Sequence, residues 1–246
     1  MLRPGFTRLA PLLLLVPAQA SPAAQLKVAP VRVDLGAETR VAVVQIENLS
    51  DEPTRISLRV FAWQQDQGED ELAPTRDILV NPGMFELPPK SRQLARIGMQ
   101  VPAGIREGSY RFLVEEVPTG PNPNPGQIRT LLRISLPVFI GAPKAQASVR
   151  WRVLPAGPGQ VKLRMTNSGG AHVQLRRIAL STGAGEPITA RDQMLYLLAG
   201  ATRDIVLPLH RSLEHGQHLV VTAATDGDDM TADAVVETAT YADAGI

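Results

Sequence analysis

Apolar and polar residues alternate one by one along short segments of this chain, and each segment ends in a turn signal. A period of two places successive side chains on opposite faces of an extended backbone, so each segment covers a core with one face and meets water with the other. Val28 to Leu35, Arg40 to Glu47 and Arg55 to Trp63 show the pattern most clearly, with Asn48-Leu49-Ser50-Asp51-Glu52-Pro53 as a turn between the second and third. It continues through Arg92 to Met99, Gly108 to Val117 and Ile128 to Ile140. About seven strands in about 115 residues is the count of an immunoglobulin-like sandwich. The chain has no cysteine, so the disulfide of antibody domains is absent, and its 21 prolines and 20 glycines, spread along the sequence, leave no room for long helices.

The second half repeats the first. Val161 to Gly170 echoes Val43 to Ser50, each a strand that ends in an asparagine and a polar turn, and each is followed by a second strand (Val173 to Leu180; Arg55 to Trp63). Leu197 to Leu207 likewise echoes Leu87 to Ile97. Gly141-Ala142-Pro143-Lys144 is the natural boundary, because small residues and a proline after a long apolar strand end its pairing. The expected fold is therefore all-β, with two immunoglobulin-like sandwiches at 21–142 and 143–246.

Residues 1–20 carry Arg3 and Arg8, then the apolar run Leu9 to Val16, then Ala18-Gln19-Ala20, the pattern of a cleaved secretory signal. The run is shorter than the roughly 20 residues a spanning helix needs, so no membrane insertion is expected. Without the signal, 23 basic residues face 24 acidic ones, and the whole chain holds ten aromatic residues. That balance gives no footprint for nucleic acid and no attraction to an anionic membrane.

Enzyme chemistry finds little support. Zero cysteine excludes thiol nucleophiles, zinc ribbons and iron–sulfur clusters. The histidines, His172, His210, His215 and His218, lack helical metal-site spacing and read as solvated loop residues. Asp226-Gly227-Asp228-Asp229 lacks the alternating ligands and closing glutamate of a calcium loop. Neither a Gly-x-Ser-x-Gly elbow nor a phosphate loop occurs. No catalytic residue, metal or cofactor is expected.

The segment from Pro118 to Gly126 holds four prolines, which cannot donate ladder hydrogen bonds, and must be a loop. After it runs a long apolar segment, Gln127 to Ile140. One face presents Ile128, Thr130, Leu132, Ile134, Leu136 and Val138; the other presents Arg129, Leu131, Arg133 and Ser135. Pro137 places part of it at a sheet edge or a bulge. A long apolar edge strand invites aggregation unless it pairs with another chain, as in β-augmentation. On the pattern alone, an ordinary core strand of a sandwich fits equally well.

Several of these segments together resemble one family, the periplasmic chaperones of chaperone–usher pilus assembly, in the archaic branch associated with spore-coat-U-like fimbriae. The matching residues are Ala62-Trp63-Gln64, Leu72-Ala73-Pro74-Thr75, Leu79-Val80-Asn81-Pro82, Glu107 to Pro118 and Leu132 to Phe139. The resemblance runs from about residue 26 to 143 and is vaguer beyond.

It implies an L-shaped pair of immunoglobulin-like domains located in the periplasm. The last strand of the first domain would lend Ile128, Thr130, Leu132 and Ile134 to a pilin subunit that lacks its own final strand. Arg32, Arg133 and Arg111 would be the candidates to anchor the pilin's C-terminal carboxylate. Arg96 and Glu107, with Asp226 of the second domain, would form ion pairs that set the domain angle, and Asn81-Pro82 matches a position that is cis in the family. The implied partners are pilin subunits and an outer-membrane usher, and the free protein could hide its strand by self-association. The competing function is a secreted sandwich that displays adhesion or ligand-binding loops.

Overall fold

The computed structural model describes residues 25–118, 130–142, 144–209 and 211–238. The signal segment, Ile128 and His210 lie outside the described residues. Every regular element among the described residues is a β-strand.

The first sandwich contains β1 (Leu26–Ala29), β2 (Val33–Leu35), β3 (Val41–Asn48), β4 (Thr54–Asp66), β5 (Glu69–Pro74), β6 (Ile78–Asn81), β7 (Met84–Leu87), β8 (Arg92–Met99), β9 (Gly108–Val117) and β10 (Arg133–Ile140). One sheet has the order β1-β3-β8-β6; the other has the order β2-β10-β9-β4-β5, with β7 beside the first half of β4. Val44, Ile46, Ile56, Ile97, Phe112 and Val138 fill the space between them, which is what their period-two spacing requires. The hairpin from β4 to β5 turns at Gln67 and Gly68, both with positive φ, a conformation that suits a tight two-residue turn.

The segment Val28 to Leu35 is two strands, not one. The chain pairs with β3 as β1, turns at the cis Ala29–Pro30 bond, and crosses to the other sheet as β2, parallel to the end of β10. The structure also adds β5, β6 and β7 between Glu69 and Leu87, where acidic residues and prolines obscure the alternation.

The second sandwich contains β11 (Val149–Pro155), β12 (Gln160–Asn167), β13 (Val173–Thr182), β14 (Pro187–Leu197), β15 (Thr202–Pro208), β16 (His218–Thr225) and β17 (Met230–Val235). Its sheets are β11-β12-β15 and β14-β13-β16-β17. The internal echo has a physical basis in two buried asparagines. Asn48 donates its side-chain amide to the carbonyls of Leu87, Pro88 and Glu52, and Asn167 donates its amide to those of Leu197, Leu198 and Ala171. Each asparagine also accepts a main-chain N–H two residues on, from Ser50 and Gly169 respectively. Each therefore pins the same corner of its own sandwich.

Candidate functional site

β10 is the strand on which the site turns. Its register with β9 pairs Arg133 with Glu115 and Ile140 with Gly108. Glu116 donates its N–H to the carbonyl of Leu132, so residues 132, 134, 136 and 138 turn their main chain toward β9. Residues 133, 135, 137 and 139 turn theirs the other way. There β2 covers only Val138 to Ile140, and among the described residues no strand pairs with the stretch from Arg133 to Pro137, which is an open edge. Pro137, with no N–H to offer, stands where the free edge meets β2, in agreement with its sequence reading.

The side chains alternate as well. Leu136 and Val138 are buried in the first core and Ile134 packs partly against it. Leu132 and Thr130 precede the strand on the same parity, Thr130 exposed and Leu132 half-buried. The regular strand thus begins at Arg133, six residues later than the sequence alone suggested. The row divides into a buried half, Leu136 and Val138, and a partly exposed half, Ile134, Leu132 and Thr130.

The other parity builds the outer face of this sheet. Glu115, buried on β9, accepts Arg59 Nε at 2.8 Å and pairs with Arg133 Nε at 2.6 Å. Burial alone would push the Glu115 carboxyl up, but the hydrogen bonds and charge of Arg59 and Arg133 outweigh it and hold the pKa below the usual carboxylate range. Arg133 is therefore an exposed arginine already committed to one carboxylate.

Arg32 and Arg111 lie where the two sandwiches meet. Arg32 bonds Asp34 at 3.0 Å and Asp226 of the second sandwich at 2.6 Å. Burial would lower its pKa, but the two aspartates outweigh that and raise it. Arg111 is held differently. Its guanidinium lies 3.6 Å over the Trp63 ring and 5.7 Å from that of Tyr196. Its nearest carboxylate, Asp70, is 3.9 Å away and is shared with Arg203 at 3.4 Å. Burial pulls the Arg111 pKa down, with Asp70 and Tyr196 opposing. Of the three candidate anchors it has the least compensated charge.

The expected pair of Arg96 and Glu107 does not form. Arg96 is exposed on β8, in the opposite sheet, because alternation along that strand buries Ala95 and Ile97 instead. Glu107 receives the N–H of His172 at 3.1 Å and meets its Nδ1 at 2.7 Å. His172 is thus a buried interface residue rather than a solvated one, stacked on Phe139 with ring centroids 3.6 Å apart. Asp226 pairs with Arg32 and not with Arg96. Asn81–Pro82 is cis.

Two residues of the first sandwich, Trp63 and Phe139, belong to the hydrophobic core of the second. Gln65 completes the junction: its amide donates to the carbonyl of Tyr196 and accepts from the N–H of Leu198, both at 3.0 Å. The sequence held a signal for this contact. Trp63 and Phe139 are large rings on the parity otherwise occupied by Arg59, Arg133 and Ser135, and an aromatic ring on a polar face marks a covered one.

A family model described as pili and flagellar-assembly chaperone, PapD N-terminal domain, matches residues 25–146. No curated protein matches the chain by sequence. Among solved structures, the chain is similar to one in the CsuC–CsuE chaperone–tip adhesion subunit pre-assembly complex from archaic chaperone–usher Csu pili of Acinetobacter baumannii. That match has a TM-score of 0.64 at 18% identity and covers 88% of this chain and 100% of that one. It is also similar to the class 5 fimbriae chaperone CfaA, with a TM-score of 0.59 at 13% identity over 86% of this chain and 99% of that one. A chain in the complex of Salmonella enterica SafA pilin with the SafB chaperone matches with a TM-score of 0.55 at 22% identity, over 88% of this chain and 98% of that one. The likeness spans both sandwiches and establishes a common two-domain, immunoglobulin-like fold.

Proposed function

We propose that this chain, whose residues 25–146 belong to the family of pili and flagellar-assembly chaperones, is a periplasmic chaperone of pilus assembly that holds pilin subunits on the free edge of β10. The observation that carries this reading is the stretch from Arg133 to Pro137, which no strand among the described residues pairs on its outer edge, bounded by β2 on one side and continued by half-buried Leu132 and exposed Thr130 on the other. A subunit that lacks a strand exposes main-chain donors and acceptors at one edge and apolar side chains along one groove. The β10 edge offers the main-chain groups of Arg133 and Ser135, and Ile134, Leu132 and Thr130 enter the groove as alternate side chains. Ile128 continues the same parity. The exchange needs no cofactor, because replacement of the lent strand by a better-packing one drives release. We read the branch as the archaic one, on the resemblance carried by the Glu107 to Pro118 and Leu132 to Phe139 motifs.

Arg111 is the best anchor for a subunit's terminal carboxylate. Arg32 already serves two aspartates and Arg133 serves Glu115, whereas Arg111 has no carboxylate closer than 3.9 Å. A guanidinium held over an indole, with its Cζ 3.6 Å from the ring centroid, needs no carboxylate of its own and can pair bidentately with an incoming one.

A second surface suits the usher. On the outer side of the β1-β3-β8-β6 sheet, Val41, Val43, Leu79 and Leu94 are exposed around Arg96, which among the described residues has no ion pair. This face belongs to the sheet opposite β10, so a captured subunit leaves it uncovered for delivery.

Co-expression with the secreted subunits encoded beside this chain, followed by tagged purification, tests the reading. The wild type retains a one-to-one complex, and the Leu132→Asp/Ile134→Asp variant is secreted but retains none. Full capture by that variant overturns the assignment and favours a module that works through its loop tips.

A further inference from the structure

Trp63 touches both halves of the molecule in different ways. One face carries the Arg111 guanidinium at 3.6 Å. The rest of the ring is buried in the second sandwich's core, edge-on to Tyr196 with centroids 5.6 Å apart and tilted against Phe139 at 6.3 Å. Trp63 sits near the end of β4, and its register is held from beyond by Gln65, whose side-chain amide bonds the main chain on either side of Leu197 in the second sandwich. The guanidinium has no hydrogen-bonded carboxylate to fix it. Its position is therefore set by the ring beneath it, and the ring's position by the second sandwich.

We infer that Trp63 is a positioning residue for Arg111, through which the docked second sandwich fixes the anchor for the subunit's carboxylate. The inference rests on the assignment of Arg111 as that anchor. A cation over the face of a desolvated indole is held by the ring quadrupole, and this hold is strongest for tryptophan. It leaves the in-plane N–H groups free, which an ion pair in the same place would not. The second sandwich then takes part in capture without touching the lent strand.

The inference separates from a merely structural role in three measurements on the full chain. The first is client-free: the Arg111 side-chain proton resonances should lie upfield in the wild type because of the indole ring current. They should return toward ordinary arginine values in Gln65→Ala, which loosens the docking but keeps the ring. The second is subunit affinity: Trp63→Leu should weaken capture by about tenfold, the scale of one cation–π contact of 1–2 kcal/mol. Trp63→Phe should restore most of that loss. The third is Arg111→Ala, which should lose at least that affinity, with an unfolding transition lowered no further than in Trp63→Leu. Unshifted Arg111 resonances in the wild type, or wild-type affinity in a folded Trp63→Leu variant when Arg111→Ala is impaired, would overturn the inference. Wild-type affinity in Arg111→Ala would instead overturn the anchor assignment, while the resonance experiment still reports on Trp63.

Discussion

Asn167→Ala offers a quantitative test of how the second sandwich is closed. The wild-type amide donates to Ala171, Leu198 and Leu197 at 2.8, 3.1 and 3.2 Å, and its oxygen accepts Ser148 and Gly169 N–H groups at 3.0 Å each. The side chain is fully buried, so water does not readily replace it. Truncation removes one partner from each of three carbonyls and two N–H groups where β11 begins and β12 and β14 end, and of these the Leu198 carbonyl keeps the Ala201 N–H. At about 1 kcal/mol net per hydrogen bond, discounted for carbonyls that share one amide, the loss is about 3–5 kcal/mol. That is about a fifth or more of the stability of an ordinary domain, roughly 5–15 kcal/mol. Urea unfolding followed by tryptophan emission suits the test, because Trp63 and Trp151 both lie in this core. The midpoint should fall with an unchanged slope. Asn167→Asp should be no better, since it retains the acceptor but sets a carboxylate against three carbonyls. A loss below about 1 kcal/mol in either variant would refute the corner as a stabilising device.

Three further outcomes follow from named contacts. Glu115 has a folded pKa below its unfolded one, so the stability it contributes is complete above the ordinary glutamate range and is lost as pH falls through the depressed value. The stability gap between wild type and Glu115→Gln should therefore shrink on acidification, as read from denaturant midpoints; a gap independent of pH would contradict this. Gly169→Ala would place a Cβ 2.2 Å from the Gln146 carbonyl oxygen and 2.5 Å from the Ser148 nitrogen, whereas at Gly170 the nearest atom is a side-chain carbon at 3.2 Å. The first substitution should lower the melting temperature far more than the second, and equal effects would refute the close approach. Arg96→Glu should leave subunit capture intact and abolish binding of the chaperone–subunit complex to a purified usher, and loss of capture would show that this face does something else.

Much of the fold was legible because it rests on a local pattern. The alternation in Val41 to Asn48 or Gln160 to Asn167 directly encodes which side of a sheet meets the core, and the echo between the halves is the same buried asparagine used twice. What escaped the pattern depends on partners far away in sequence. Residues 69–87 form strands because β4 and β8 offer them edges, not because they alternate. Arg96 and Glu107 have plausible charges for each other, but β8 belongs to the opposite sheet and its side-chain period turns Arg96 outward, and a histidine 65 residues downstream of Glu107 takes its place. The apolar row of β10 was visible; that β2 covers only its last three residues was not, since that follows from the crossing of the chain at Pro30.

Amide exchange of β10 in the presence of a purified pilin subunit tests the central claim most directly. In the free protein the N–H groups of Arg133 and Ser135 face the open edge and should exchange fast, while those of Ile134 and Leu136, bonded toward β9, should be protected. On capture, exchange at Arg133 and Ser135 should slow by roughly 100-fold or more, with Ile134 and Leu136 little changed. A stable complex in which Arg133 and Ser135 exchange as fast as in the free protein would show that the subunit binds elsewhere and that the edge of β10 is not lent.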